Sequence, residues 1–458
     1  MSRDPGETVS GLRRLAARTP ETRNRHVDLL RAFAISAVVI GHWLAIVVVH
    51  DDGGVHGGNA LATLPWSRPL TWLFQVMPVF FLVGGYANGA SLRSHRGRGG
   101  DAASWLLGRT DRLLRPTTAF LVLLAASAVL ARVFGVEPEL IGMATWAASI
   151  PLWFLAAYLA VVFLSPLTHA LHRRAGLAVP VALAAVVGAS DAARMSLDVP
   201  VIGAANHLLV WLAVHQLGFA WRDGRLRTDF RSTGPMVVVG LGVLTALTVF
   251  GPYPISMVGV PGAEFQNTAP PTLALLALAL TQTGIALSLD RAGNRWLRRM
   301  RPWTVVVGMN AVVLTVFLWH MAAAVVAAAA LYPTGIFPQP PVGSAAWILW
   351  RLPWLACSAL VLTVFVAVLG RIEQRTGPSG TGHGIDADSG NVKTRLRAWA
   401  WRALTVGGSA SVLGGFIGIA LAGQGYHGPG GLPTGALAAY LLGAAVLRIT
   451  RRRMRGRR

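Results

Sequence analysis

The chain has 458 residues, of which 53% are hydrophobic and 13% are charged, and its 41 basic and 19 acidic residues give a net charge of +22. The charged fraction is about half that of a typical soluble protein, and the mean hydropathy is +0.53. This composition excludes an ordinary soluble protein and indicates a polytopic membrane protein.

The positive charge lies almost entirely on arginine, because Lys393 is the only lysine. The arginines form short clusters between long apolar runs, which is the pattern of membrane-protein loops and not of a nucleic-acid-binding groove. No nucleic-acid partner is therefore expected. The single cysteine, Cys357, excludes an intramolecular disulfide and a cysteine-based metal site.

Twelve segments are apolar enough to predict membrane-spanning helices, which need roughly 20 mainly apolar residues. The predicted fold is therefore an all-α, polytopic transmembrane helical bundle. In chain order, the predicted spans are 29–50, 70–91, 117–134, 144–168, 176–192, 203–221, 235–251, 272–289, 303–330, 344–370, 404–422 and 434–448. The last of these is the shortest, and an interfacial helix is the alternative for it.

The loop charges alternate along the whole chain. Arginine clusters occupy the N-terminal tail, every second connection and the C-terminal tail, whereas the connections between them are poor in arginine and carry acidic residues, among them Asp191. By the positive-inside rule, this alternation predicts a multi-pass protein of the plasma membrane with both termini in the cytoplasm.

The same pattern predicts the domain organisation. A cytoplasmic tail (1–28) precedes a ten-span membrane domain (29–370), a flexible cytoplasmic linker (371–403), a two-span hairpin (404–448) and a basic cytoplasmic tail (449–458). The linker is inferred from residues 376–391, which are rich in Gly, Ser and Asp.

The first predicted span carries two ionisable residues, Arg31 and His42. Eleven residues at about 100° each bring both side chains to one helix face, about 16 Å apart along the axis. Ionisable groups at membrane depth are costly and mark candidate functional sites. The alternatives are a surface-reaching anchor for Arg31 and an interhelical hydrogen bond for His42. Asp28 is expected to pair with Arg25 or Arg31, or to orient a nearby base.

This arrangement resembles a known signature. An arginine, ten intervening residues and a histidine, preceded by Asp-Leu-Leu, is similar to the first-span motif of the acyltransferase 3 family of membrane acyltransferases. Four further segments resemble motifs of that family in the same order, and the resemblance covers residues 24–370. These segments are 77–86 (MPVFFLVGGY), 109–116 (RTDRLLRP), 152–155 (LWFL) and 317–320 (FLWH).

The resemblance implies a ten-span enzyme that moves acyl groups, often acetyl, from a cytoplasmic thioester to a hydroxylated acceptor on or bound for the outer face. The implied donor substrate is acyl-CoA, in the first place acetyl-CoA, with no permanently bound cofactor. The implied acceptor is a glycan, a lipid-linked sugar or a small hydroxylated molecule. His42 would act as general base, Arg31 would bind the donor or stabilise charge, and His320 would support the site.

The residue types suit this chemistry. Histidine is the usual base near neutral pH, and the planar arginine fork matches the phosphates of coenzyme A. Arg109, Arg112 and Arg115 recur at i, i+3 and i+6, which places them on one broad helix face where they would hold those phosphates. Ordinary positive-inside charge is the alternative for these three, and a helix–helix hydrogen bond is the alternative for His320.

A transporter or flippase, with the same polar groups lining its path, is the alternative function. It would move a solute or lipid without consuming an acyl donor. The histidine spacing predicts no metal site, and membrane lipids are expected around the protein. Other polar residues have structural expectations: Asn206, His207, His215 and Gln216 lining a cavity, Gln282 and Arg351 in interhelical or interface contacts, and His169 and His172 solvated beside a loop.

Overall fold

The computed structural model describes residues 5–51, 54–197, 200–374, 392–423, 426 and 428–455. These residues are mainly helical, with one two-stranded sheet among them. In chain order the elements are α1 (Pro5–Ala17), α2 (Arg25–Ala45), β1 (Ile46–Asp51), β2 (Gly54–Asn59), α3 (Ala60–Thr63), α4 (Thr71–Phe74), α5 (Met77–Gly97), α6 (Ala102–Val133), α7 (Pro138–Ser149), α8 (Leu152–Ala175), α9 (Ala178–Leu197), α10 (Asn206–Arg222), α11 (Phe230–Thr245), α12 (Leu273–Ser288), α13 (Asp290–Trp296), α14 (Met300–Ala311), α15 (Val313–Leu331), α16 (Ala345–Gln374), α17 (Val392–Leu421) and α18 (Thr434–Arg455).

Ten helical segments in the described part of the chain are long and apolar enough to cross a membrane, and the pair α12–α13, bent by 47°, is an eleventh candidate. Together they correspond to eleven of the twelve predicted spans. Helix α18 covers the twelfth, but arginines crowd its C-terminal half and it is not among the ten. The all-α, multi-pass fold predicted from the sequence is therefore confirmed.

The first span begins and ends earlier than predicted, because α2 runs from Arg25 to Ala45 and residues 46–51 form a strand. Strand β1 pairs antiparallel with β2, from Ile46 opposite Asn59 to Asp51 opposite Gly54. The run Ile-Val-Val-Val favours a strand over a helix. Gly54 adopts a φ of 103°, which glycine takes at little cost, and so allows the reversal.

The predicted span 303–330 is divided in the structure. Helix α14 ends at Ala311 and α15 begins at Val313. The first backbone N–H groups of a helix have no intrahelical partner. Here the side chain of Glu373, in α16, supplies an acceptor for them. Its carboxylate accepts from the backbone N–H groups of Leu314 at 3.1 Å and Thr315 at 2.8 Å. Only the part of the predicted span from residue 313 onward is long and apolar enough to cross.

The chain divides into two compact units. The first comprises Met1–Gly41, Leu61–Gly89 and Leu167–Val313, and in it α9 packs on α10, α11 on α12 and α1 on α14. The second comprises His42–Ala60, Ala90–Pro166 and Leu314–Arg458, and in it α17 and α18 pack on each other as a hairpin.

The C-terminal hairpin packs on α6 inside the second unit. Arg451 of α18 forms an ion pair with Asp111 of α6. The hydroxyls of Tyr440 and Thr118 lie 2.9 Å apart. The hairpin is thus joined to α6 by polar contacts as well as by apolar packing. Of the predicted flexible linker 371–403, residues 371–374 belong to α16 and residues 392–403 belong to α17, and residues 375–391 lie outside the described residues.

A buried carboxylate in the first unit was not anticipated. Asp191, expected in a loop, lies in α9 with its side chain fully buried. It accepts hydrogen bonds from Asn206 at 3.0 Å, from the Tyr253 hydroxyl at 3.2 Å and from the backbone N–H of Leu273 at 2.8 Å. Asp191 therefore joins α9 and α10 to the N-terminus of α12.

Replacement of Asp191 by alanine is expected to lower the thermal unfolding midpoint of the detergent-purified protein markedly. Each buried donor left without an acceptor costs about 1–3 kcal/mol, and three donors lose theirs. Asp191→Asn keeps one acceptor oxygen and should fall between the alanine variant and wild type. Glu264→Ala removes an exposed carboxylate of the same unit and serves as the control. Equal midpoints for Asp191→Ala and Glu264→Ala would contradict this role.

Candidate active site

His42 and His320, predicted separately from the sequence, are in direct contact. His42 Nδ1 lies 3.0 Å from His320 Nε2, and the ring centroids are 5.1 Å apart. His320 is fully buried, whereas His42 is partly exposed. The pair joins the C-terminal end of α2 to α15 within the second unit.

The hydrogen bonds of the pair define where its protons lie. His320 Nδ1 is 2.7 Å from the backbone carbonyl oxygen of Phe317, which can only accept, so Nδ1 carries the proton. In the neutral ring, His320 Nε2 is then an acceptor, and His42 Nδ1 must donate to it. This leaves His42 Nε2 without a proton, on the partly exposed ring. The arrangement thus leaves His42 Nε2 as a basic nitrogen and holds the two rings in place with a chain of two hydrogen bonds.

Two tryptophans hold the backbone around the pair. Trp43 Nε1 donates to the carbonyl oxygen of His320 at 2.9 Å, and Trp354 Nε1 donates to the carbonyl oxygen of Trp43 at 2.8 Å. Phe154, from the predicted motif 152–155, packs edge-on against Phe317 at 5.1 Å. The motif around His320 is therefore fixed from both sides. Sequence reasoning missed Trp43 and Trp354, since nothing local distinguishes them from membrane-interface tryptophans.

Arg31 lies near the start of α2 with 28% of its side chain exposed. Its Nη1 atom is 3.5 Å from an oxygen of Asp28 and 3.5 Å from the side-chain oxygen of Asn310. Asp28 is bound more closely by Arg23, at 2.7 and 2.9 Å. The carboxylate thus pairs mainly with Arg23, a partner not expected from the sequence, and only weakly with Arg31. The hydrogen bond from Arg23 to Asp28 raises the pKa of the Arg23 guanidinium.

The three arginines predicted to contact phosphates lie along α6 with different surroundings. Arg112 is exposed and Arg109 is half-buried. Arg115 is 3.0 Å from Asp111, the carboxylate that also pairs with Arg451. Arg112 is therefore the most exposed of the three arginines, and Arg115 is the one that contacts Asp111.

Most other polar side chains bridge helices within the first unit. His215 contacts Asn88 at 3.1 Å, Gln216 donates to the carbonyl of Thr168, and Gln282 donates to the carbonyls of Trp72 and Gln75. The contact predicted for Gln282 is confirmed. The expected polar stripe on α10 instead forms hydrogen bonds: Asn206 binds Asp191, and the exposed His207 contacts the carbonyl of Ala204.

The expectation that His169 and His172 are solvated was wrong, since both are buried. Helix α8 continues to Ala175, and both rings pack against Phe219. Within the described residues, no group of three His, Cys, Asp or Glu side chains is placed to hold a metal ion.

The described part of the chain thus combines membrane-crossing helices with a histidine pair that has one unprotonated nitrogen on a partly exposed ring. Comparison with protein families identifies the class of reaction, because the acyltransferase domain model matches residues 24–371. The chain belongs to this family, acyltransferase 3, and is a membrane acyltransferase. Neither the curated proteins nor the solved structures compared with it gave a match.

Proposed function

We propose that this acyltransferase transfers an acyl group, acetyl in the first place, from acyl-CoA to a hydroxyl group of a carbohydrate or another envelope or exported acceptor. The observation that carries the proposal is the His42–His320 pair, with its proton arrangement set by the carbonyl of Phe317. Acyl transfer to a hydroxyl requires such a base, whereas transport requires one only where it is coupled to proton movement.

In the proposed step, the acceptor hydroxyl oxygen attacks the thioester carbonyl carbon while His42 Nε2 takes the hydroxyl proton. The tetrahedral intermediate then collapses, the C–S bond breaks, and the leaving thiolate takes the proton from His42. The products are an ester and free coenzyme A. His320 stabilises the transient imidazolium, because its Nε2 atom accepts from His42 Nδ1 throughout the reaction.

Binding of the acyl-CoA donor is assigned to the basic residues. Arg31 is proposed to bind the anionic donor, because 28% of its side chain is exposed and the neighbouring carboxylate of Asp28 lies closer to Arg23 than to Arg31. Arg109 and Arg112 are proposed as further phosphate contacts, and Arg115 would join them only by weakening its contact with Asp111. A planar fork of N–H donors suits phosphate oxygens in each case.

The proposed location is the plasma membrane, with both termini and the donor in the cytoplasm. The support is the alternation of arginine-rich and acidic connections in the sequence. The acceptor would then be a glycan, a lipid-linked sugar or a small hydroxylated molecule at the outer face.

The direct test uses the full-length protein in lipid nanodiscs with radiolabelled acetyl-CoA and an envelope extract. The expected result is release of free coenzyme A together with label in an ester of the extract. Protein that binds acetyl-CoA but yields neither product would contradict the proposal. Solute movement in liposomes without coenzyme A release would support the transporter alternative.

His320→Ala is expected to lower kcat for acetyl transfer by roughly 10-fold or more, with little change in KM for acetyl-CoA. The reason is that His42 Nδ1 loses its hydrogen-bond acceptor. The tautomer of His42 that carries its proton on Nε2, and so cannot act as the base, is then no longer disfavoured. His320→Asn, which keeps an acceptor oxygen, should recover part of the rate. A rise in KM for acetyl-CoA with unchanged kcat would show instead that His320 serves donor binding.

A further inference from the structure

A second feature of the second unit lies beyond the C-terminal end of α2, beside the strand β1 that follows it. It is a cavity of about 240 Å³. Its walls are β1, the loop after α15 and the first turns of α16. The main lining residues are residues 47–49 of β1, Tyr332, Phe337, Trp347, Trp350 and Arg351.

Arg351 supplies the only charge on this wall. It is 8% exposed, its Nη1 atom donates to the carbonyl of Ile46 at 2.7 Å, and its guanidinium lies 4.0 Å from the centre of the Trp347 ring. Among the described residues, no carboxylate forms an ion pair with it. A buried cation of this kind is stabilised by an anion, and a ligand oxyanion would meet that need.

The remaining lining groups favour a ring with hydroxyl groups. Phe337 and Trp350 form an edge-to-face pair at 5.4 Å and supply an apolar wall. Tyr332 is nearly buried, and burial raises the pKa of its hydroxyl, which therefore stays protonated and able to donate. The volume is below the range of about 300–1,000 Å³ typical of drug-sized ligands, so the cavity suits a single sugar ring rather than a larger group.

The cavity is connected to the histidine pair through packed side chains. Tyr332 packs edge-on against Trp354 at 6.2 Å, Trp354 donates to the carbonyl of Trp43, and Trp43 donates to the carbonyl of His320. Along the chain, Ile46, whose carbonyl accepts from Arg351, follows His42 by only four residues. A ligand held on Arg351 is therefore bound on the same framework that fixes the base.

We propose that this cavity is the acceptor subsite and that it binds an anionic sugar, with its phosphate or carboxylate on Arg351 and its ring against the aromatic wall. The inference rests on the proposed function and narrows its acceptor to a negatively charged carbohydrate. Arginine is suited to both oxyanions because its planar fork binds two oxygens together.

The test measures binding of three probes to nanodisc-embedded protein by isothermal titration calorimetry: glucose 1-phosphate, glucuronic acid and neutral glucose. We expect the anionic sugars to bind and glucose to bind at least tenfold more weakly. Binding of only the phosphate or only the carboxylate probe would support the subsite and identify its oxyanion. Equal binding of all three, or of none, would overturn the proposal.

Two variants locate the binding. Arg351→Gln should raise the Kd of the anionic probes at least tenfold, the size expected for loss of a charged hydrogen bond. Trp350→Ala, at a 37% exposed position, should weaken binding of all sugars without touching the Arg351 contacts. The matched control is Arg194→Gln, since Arg194 also stacks on an aromatic ring, 4.3 Å from the centre of Phe265, in the other unit. Unchanged affinity in both cavity variants would overturn the proposal.

Acetyl-CoA binding is measured on the same samples to separate the two proposals. Arg351→Gln should bind acetyl-CoA like wild type, because its contacts belong to the acceptor cavity. Wild-type protein that binds acetyl-CoA but no sugar would refute the subsite and leave the acyl-donor assignment intact. Wild-type protein that binds the anionic sugars but not acetyl-CoA would refute the proposed donor while keeping the cavity as a sugar site.

Discussion

His42→Ala is expected to lower acetyl transfer by about 10²–10⁴-fold, the contribution usual for a positioned general base. The protein should still accumulate in membranes at the wild-type level, because His42 is only partly buried and makes a single hydrogen bond, to His320. The measurement is coenzyme A release per mole of protein in nanodiscs, at saturating acetyl-CoA.

A second variant at this position separates chemistry from packing. His42→Asn keeps an N–H donor where Nδ1 lies, so it can still bind His320, but its amide does not take up a proton at neutral pH. It should be as inactive as His42→Ala. His207→Ala, which removes an exposed histidine of α10, should keep full activity. A His42→Asn enzyme with wild-type turnover would exclude His42 as the base.

Gly85→Ala is expected to abolish most folded protein, the largest structural effect predicted for a single methyl group in this chain. Helices α5 and α10 cross here without room for side chains. A Cβ on Gly85 would overlap the carbonyl oxygen of His215, and a Cβ on Gly218 would overlap that of Leu82. Such close helix approach at small residues is a common means of packing in membranes.

The methyl group would also disturb the neighbouring contacts of this crossing. Phe81 stacks on Trp211 at 4.6 Å, and Asn88 contacts His215 at 3.1 Å. Overpacking typically costs 1–3 kcal/mol, and backbone atoms cannot move aside as a flexible side chain can.

Gly97→Ala, in the last turn of α5, is the matched control, since its Cβ would meet nothing within 4 Å. The readout is the monodisperse fraction after detergent extraction and its melting temperature. Wild-type values for Gly85→Ala would contradict the packing argument.

The second-span motif of the family resemblance thus has a structural explanation. The sequence alone indicated only that Gly84 and Gly85 follow a phenylalanine-rich run. In the structure, Gly85 of α5 lies so close to Gly218 of α10 that a Cβ on either would overlap a backbone carbonyl of the other helix. The glycine is required by the partner helix, and no local property of α5 indicates which helix that is.

Some features of the candidate site could be predicted from the sequence, and others could not. Arg31 and His42 were placed on one helix because helical periodicity is local, and both lie in α2. The contact between His42 and His320 joins residues 278 apart, and only the packing of α15 on α2 decides it. The different surroundings of Arg112 and Arg115 depend in the same way on Asp111 and on Arg451 of the C-terminal hairpin.

The sequence by itself determined the membrane class, the approximate positions of the spans and the family, because hydropathy, arginine clustering and short motifs are properties of consecutive residues. The tertiary structure alone decided the proton arrangement of the histidine pair, the burial of Asp191 and His172, and the cavity around Arg351. Each of these depends on which helices are in contact. In a membrane, lipid tails solvate every apolar helix face equally well. Helix partners are therefore chosen by shape and by a few polar contacts between distant residues, which hydropathy does not record.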